Sequence, residues 1–290
     1  MIRAVLRLLS LLPLRVLHAL GSVAGSLMYY LPSRSRKITL KNLELCFPEM
    51  SETERRSLAL ASLKETGKTA CELGLIWCRP VEEVMKHVVT VHGKDLIEQH
   101  LADGKGLIII APHLGSWELS GLYVSTVAPI TFLYRPPRME AFEKALTGFR
   151  SRAGAAQAPT TPRGIMQLVK TVRAGNIAGI LPDQQPGYDS GVFAPFFHEK
   201  ALTMTLVARL AQKTGAPVIS CVARRLPKGQ GFEILLRPVD PQIDSEDPLE
   251  AATALNRSVE TVLLDDPAQY QWEYKRFRRR PRGDNTRIYG

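Results

Sequence analysis

The stretch Gly106-Leu107-Ile108-Ile109-Ile110-Ala111-Pro112-His113-Leu114-Gly115-Ser116-Trp117-Glu118 does most to limit what this chain can become. Four consecutive aliphatic residues read as a short, fully buried strand, and Pro112 ends it. His113 then falls just past the strand's C-terminal end, the edge at which open α/β sheets place their ligands. Gly115-Ser116 allows a tight turn, and Ser116 suits the N-cap of a helix through Trp117-Glu118-Leu119. His113 and Glu118 are five positions apart, which on one continuous helix would put them on different faces. Across a strand–turn–helix junction, a first-turn carboxylate can instead fold back onto the imidazole and form a dyad.

Such a dyad supports the alcohol half of acyl transfer. A neutral imidazole takes the proton of a substrate hydroxyl while that oxygen attacks an ester or thioester carbonyl. Glu118 would fix the tautomer and stabilise the imidazolium, as the acidic member of a Ser-His-Asp triad does. No enzyme nucleophile is required, because the acceptor brings its own hydroxyl. The competing reading is a loop histidine near a helix start, with Glu118 paired to an arginine; two residues do not separate the two.

The rest of the chain alternates. Ser51-Glu52-Thr53-Glu54 is a capping box that opens a helix running to about Trp77, stopped by Arg79-Pro80. A strand at 88–91 and a helix at 94–101 precede the central strand. After it come a strand at 130–134, helices at 141–152 and 165–173, and a strand at 177–181. A long loop at 182–200 follows, then a helix at 204–213, strands at 218–223 and 232–236, a helix at 249–264 and a basic tail. This alternation predicts an α/β domain, a mixed sheet flanked by helices. At 290 residues there is room for one such domain and an appendage.

The appendage is the N-terminus. Residues 1–32 are apolar apart from Arg3, Arg7 and Arg15, and Pro13 interrupts them. The uncharged run from Val16 to Ser33 is at the lower limit for crossing a bilayer, with Tyr29 and Tyr30 at an interface and Arg34, Arg36 and Lys37 beyond. Residues 1–33 are therefore expected to be a membrane anchor or interfacial helix, with the catalytic domain at 34–290: a mainly helical lead-in over 34–100 and an α/β core over 101–290. A cleaved signal peptide is disfavoured, because Val23-Ala24-Gly25 is a poor cleavage site. Basic flanks on both sides leave orientation open. The net charge of +10 suits nucleic acid, anionic membrane or an acidic protein. No nucleic-acid module is recognisable, and the apolar N-terminus argues against that partner. Cys46, Cys71, Cys78 and Cys221 lack metal-ligand spacing and read as reduced core residues. His87, His92 and His100 read as surface or packing residues, so no metal is expected.

Two further positions repeat the logic of the central element. Arg135 follows an apolar strand, and its guanidinium could hold a phosphate; otherwise it pairs with Glu118 or Asp183. Asp183 follows another strand, where it could hold Arg135, receive sugar hydroxyls or simply start a turn. Phe193, Phe196 and Phe197 could wall an acyl groove or anchor a core. In the run Lys275-Arg276-Phe277-Arg278-Arg279-Arg280-Pro281-Arg282, the interleaved Trp272, Tyr274 and Phe277 suit a surface against anionic headgroups or an acidic protein.

His113-x4-Glu118 within Pro112-His113-Leu114-Gly115-Ser116-Trp117-Glu118 resembles the glutamate form of the His-x4-Asp/Glu acyltransferase motif. More narrowly, the chain resembles the lipid A biosynthesis acyltransferases, the late acyltransferases of Gram-negative bacteria. The resemblance runs through Asn42-Leu43, Cys46-Phe47-Pro48-Glu49, Tyr134-Arg135-Pro136, Leu181-Pro182-Asp183-Gln184, Pro195-Phe196-Phe197, Thr203-Met204-Thr205, Tyr270-Gln271-Trp272 and Lys275-Arg276-Phe277. One departure is His198, where the family usually carries Gly. The resemblance implies a glycerolipid-acyltransferase-like fold at the bacterial inner membrane, with its catalytic domain facing the cytoplasm. It implies transfer of a fatty acyl chain from acyl carrier protein to a hydroxyl of a lipid A precursor, with no cofactor. His113 and Glu118 would be catalytic, and Arg135 and Asp183 would bind substrate. Rival expectations are an acyltransferase of the same fold acting on another membrane lipid, such as a glycolipid or lysophospholipid, and a non-catalytic basic membrane adaptor. An esterase is disfavoured by the absence of a G-x-S-x-G elbow.

Overall fold

A computed structural model describes residues 2–134, 148 and 153–289. Arg135 and most of the helix expected at 141–152 lie outside the described residues.

The buried aliphatic stretch becomes strand β2 (Leu107–Ile110), the fourth of seven strands in a mixed sheet. In order across the sheet these are β1 (Val88–His92), β9 (Phe232–Pro238), β8 (Val218–Arg225), β2, β5 (Ile177–Ile180), β3 (Ile130–Tyr134) and β4 (Ala156–Pro159). Among the described strands of this sheet, only the β8–β9 pair is antiparallel. Both β2 and β5 are buried along their whole length, as expected of strands covered on two faces. The covering helices include α7 (Trp117–Val127) and α8 (Pro162–Arg173), which follow α6 (Lys94–Ala102) in the chain, and then α9 (Leu206–Thr214) and α10 (Pro248–Leu264). The α/β reading thus holds, with β4 an addition the sequence did not suggest. Its Ala-Gln-Ala-Pro carries no strand pattern, and it is recruited by pairing alone.

The loop expected at 182–200 is partly ordered as a separate hairpin, β6 (Gly191–Phe196) with β7 (Glu199–Met204). Phe196 pairs with Glu199, so Phe197-His198 forms the two-residue connection. Phe197, not His198, occupies the left-handed region, at φ 52°. The family's usual glycine is therefore not demanded at His198. The strain at Phe197, of order 1 kcal/mol, is offset locally. Its N–H donates to Glu260 at 2.7 Å, and its ring packs 5.0 Å from Phe47. Phe196 is fully buried beside Tyr270 and Phe277, so it is a core anchor and not a groove wall.

The N-terminal apolar run splits at Pro13 into α1 (Ile2–Ser10) and α2 (Leu14–Tyr30). Among the described residues no helix is long and apolar enough to cross a membrane, so a spanning anchor finds no support. The two helices lie against the body instead. Downstream, α3 (Arg34–Cys46) leads to the long α4 (Glu52–Cys78), which starts at the expected capping box. Gly21 and Gly25 of α2 meet Gly67 of α4 so closely that a Cβ on Gly67 would stand 2.0 Å from the Gly21 carbonyl oxygen. Leu6, Leu14 and Leu17 belong to the same apolar cluster as Leu107 and Ile109 of the central strand. Leu17 is wholly buried, so Leu17→Ala is expected to lower unfolding free energy by about 2–5 kcal/mol, measured as a shift in denaturant midpoint. The opposite side of these helices is bare. Val16, Leu20, Val23, Leu27 and Tyr30 follow at helical spacing with 41–67% exposure, continuing Val5 and Leu8 of α1.

The C-terminal aromatic–basic run is not the surface it resembles. Trp272 and Phe277 are buried, and Arg276 is only 3% exposed. Its guanidinium donates to the Leu202 carbonyl at 2.7 Å and to Thr203 Oγ1 at 3.0 Å. Arg278 and Arg282 remain outside. The segment follows no helical or strand period, so its inward side chains carried no readable signature.

Candidate active site

The sheet register builds the site. β2 and β5 run parallel with Ile110 opposite Ile180, and the Ala111 N–H continues the ladder to the Ile180 carbonyl at 2.9 Å. His113 and Asp183 each stand three residues beyond that last pair, at the same edge of adjacent strands. They meet twice. His113 Nδ1 lies 2.8 Å from Asp183 Oδ1, and the His113 N–H donates to Asp183 Oδ2 at 2.8 Å. The sequence reading expected Glu118 at that ring nitrogen, and the structure puts Asp183 there. Glu118 lies in the first turn of α7, where its Oε2 accepts a hydrogen bond from Trp77 Nε1 at 3.0 Å. Asp183 was read only as an ancillary ligand, because strand order cannot be seen in the chain.

The protonation states follow. Asp183 is almost fully buried, and burial alone would raise its carboxyl. The charge attraction of His113 and the two His113 hydrogen bonds outweigh it, holding Asp183 below the usual aspartate range and ionised. An acceptor-only carboxylate at Nδ1 places the ring proton there and leaves Nε2 with its lone pair. The Gln184 side-chain nitrogen lies 3.2 Å from Nε2, where its N–H can donate to that lone pair. A depressed folded pKa adds stability above the unfolded value, about 3.9. That contribution is expected to be lost as pH falls below about 4 through the folded value. Denaturation curves of wild type and Asp183→Asn taken across that range should converge at the acid end.

The turn is otherwise fixed by its backbone. Leu114 N–H donates to the Pro112 carbonyl, Gly115 N–H to Gln269 and Ser116 N–H to Ala223, at 2.7, 3.0 and 2.8 Å. Stabilising an oxyanion needs unengaged N–H donors beside the reacting carbon. Those of Gly115 and Ser116 are already engaged and do not fill that role. Gly115 itself stands at φ 61°, and a Cβ would meet the Ala223 carbonyl oxygen at 2.2 Å. The helix begins where expected, but the Ser116 side chain makes no capping hydrogen bond.

Beside His113 the Trp117 ring stands 5.1 Å away and forms one wall of a groove. Ile76, Trp77, Leu122, Phe132, Leu133 and Leu181 line much of the rest, and Glu118 is the charged group in its wall. The groove is open to solvent on one side. The arrangement is a base whose Nε2 carries its lone pair, with Gln184 at hydrogen-bond distance, beside an apolar groove. A thiol nucleophile is not offered by Cys46, Cys71 or Cys221. Burial raises all three thiols, that of Cys221 to about 12.

The family model for bacterial lipid A biosynthesis acyltransferase matches residues 1–279. The chain is 30% identical to the lipid A biosynthesis lauroyltransferase of Escherichia coli (strain K12), over 98% of this chain and 92% of that protein. It is also 30% identical to the lipid A biosynthesis palmitoleoyltransferase of the same organism, over 95% and 89% of the two chains. The myristoyltransferase of that organism matches at 25% identity, over 93% and 82%. With the family matched over nearly its whole length, the chain belongs to the bacterial lipid A biosynthesis acyltransferases and is an enzyme of that class.

Proposed function

We propose that this protein transfers a fatty acyl chain from an acyl-carrier-protein thioester to a hydroxyl of a lipid A precursor at the bacterial inner membrane, on its cytoplasmic face. The observation that carries the chemistry is the His113–Asp183 pair, which leaves Nε2 as a base beside an apolar groove. In this reading the acceptor hydroxyl gives its proton to Nε2 as its oxygen bonds to the thioester carbonyl carbon. The tetrahedral intermediate then breaks its carbon–sulfur bond, and the departing thiolate takes the proton from the imidazolium. An ester and a free carrier thiol result, and His113 is neutral again. Asp183 holds the tautomer. Glu118, the carboxylate of the His-x4-Glu motif, acts on the imidazolium by charge from the groove wall. Arg135, immediately after β3, binds a phosphate of donor or acceptor, and the groove takes the acyl chain.

The bare apolar face of α1 and α2 supports a helix pair lying in the membrane surface, with Arg34, Arg36 and Lys37 just beyond it. Two acidic substitutions there, Val23→Asp with Leu27→Asp, are expected to move the protein from membrane pellet to supernatant while its thermal midpoint stays near wild type. Unchanged sedimentation would remove the helix pair as the docking face.

The test of function incubates purified protein with an acyl-carrier-protein thioester and either a tetra-acylated lipid A precursor or lysophospholipids. Mass spectrometry is expected to find one added chain on the lipid A precursor, esterified to a hydroxyl of an existing acyl chain. Acylation of lysophospholipid alone would keep the base and overturn the acceptor. No transfer to either, or transfer that survives His113→Ala undiminished, would overturn the enzymatic reading.

A further inference from the structure

The turn that carries His113 is gripped from below by charged groups that lie outside the groove. Arg225 ends β8 and is 4% exposed, and Glu72 of α4 is fully buried. Arg225 Nε donates to Glu72 Oε1 at 2.6 Å and Nη2 to Oε2 at 2.9 Å, a bidentate pair. The same Nη2 donates to Thr69 Oγ1 and, at 3.0 Å, to the carbonyl oxygen of Gly115. His18 of α2 sits on the other side, its Nε2 2.7 Å from Glu72 Oε1. Gln269 clamps the Arg225 backbone in both directions, at 2.8 and 3.1 Å, and its own carbonyl takes the Gly115 N–H.

A buried ion pair is a poor device for stability, since well-packed apolar groups of similar volume often do as well. A guanidinium does something here that no apolar group can. It supplies a rigid, directional donor to one carbonyl of the catalytic turn, two residues from His113. Burial alone would raise the Glu72 carboxyl, but the charge of Arg225 and hydrogen bonds from His18 and Arg225 hold it lowered and ionised. The fork therefore has a fixed counter-charge to orient it.

We infer that Arg225, oriented by Glu72, is a positioning residue for acyl transfer, setting the His113 imidazole through the Gly115 carbonyl. The inference rests on His113 being the general base. Neither side chain lines the groove, so their loss acts on turnover and not on donor affinity.

Arg225→Met combined with Glu72→Leu removes both members of the bidentate pair together; Glu65, whose Oε2 stands 3.5 Å from Arg225 Nη1, keeps its ion pair with Lys68. In the assay above, this variant is expected to keep wild-type membrane association and KM for acyl-carrier-protein thioester within about twofold, and to lose at least about tenfold in kcat. Arg225→Lys keeps a cation opposite Glu72 but lacks the planar fork, and its kcat should fall about three- to tenfold at unchanged KM. It decides the matter if the double variant does not fold. Wild-type kcat in the folded fraction of Arg225→Lys, or of the double variant, overturns the positioning role. His113→Ala is run alongside. If it stays active, the base reading fails first; if it is inactive while Arg225→Lys has full kcat, only the positioning role is lost.

Discussion

His113→Ala is expected to slow acyl transfer by about 10²–10⁴-fold, the range that general-base catalysis supplies. The loss should fall on kcat. The apolar groove proposed for the acyl chain is lined by Trp117 and its neighbours and does not include the imidazole. The substitution has a structural side effect that can be separated. Asp183 keeps the residue-113 N–H on Oδ2 but loses the imidazole on Oδ1. A destabilisation of about 1–3 kcal/mol follows from that, so rates must be compared at temperatures well below the variant's own midpoint. A folded His113→Ala protein with half of wild-type turnover would refute the base.

Asp183→Asn should be nearly as damaging, by about 10²-fold or more in kcat, for a reason of tautomerism. An amide at Nδ1 can donate as well as accept, so it no longer compels the ring proton to that side, and Nε2 is no longer guaranteed its lone pair. Shape is almost unchanged, which separates this effect from packing. Glu118→Gln is the companion measurement. It retains an acceptor for Trp77 Nε1 and removes charge from the groove wall, so turnover should fall without loss of the Nδ1 hydrogen bond. If Asp183→Asn kept wild-type turnover while Glu118→Gln abolished it, the tautomer-fixing role would return to Glu118.

The contrast between these carboxylates shows what a chain can disclose before it folds. The strands ending before His113 and Asp183 were both legible, since short aliphatic runs closed by proline leave little choice. That the two strands lie side by side was not, because strand order in a mixed sheet is settled by the helices that cross it and leaves no local trace. Glu118 looked like the partner because it is near in sequence. The hairpin at β6–β7 was hidden for a different reason: Phe197-His198 has none of the residues that ordinarily mark a two-residue turn. The apolar N-terminus was read from its composition as a membrane anchor or interfacial helix, and Gly21 and Gly25 let one face of it pack on α4. A helix pressed to a protein on one side and bare on the other has the same average hydropathy as one surrounded by lipid. The buried Trp272 and Phe277 were equally hidden among arginines, with no repeat to expose which side faced inward.

The C-terminal segment passes directly beneath the reacting group: Gln271 N–H donates to the His113 carbonyl at 3.0 Å, and the Gln269 carbonyl takes the Gly115 N–H at the same distance. Asn42 of α3 then accepts this late segment, donating to the Trp272 and Tyr274 carbonyls at 2.6 and 2.7 Å. Translation runs from the N-terminus, so His113 and Asp183 leave the ribosome long before the residues that seat them. A nascent polypeptide paused after α10 already holds the histidine, both carboxylates and the groove, yet lacks the seat beneath the turn. Under the proposed chemistry, competence thus arrives with the last stretch of synthesis, and a prematurely terminated copy lacks the seat beneath His113.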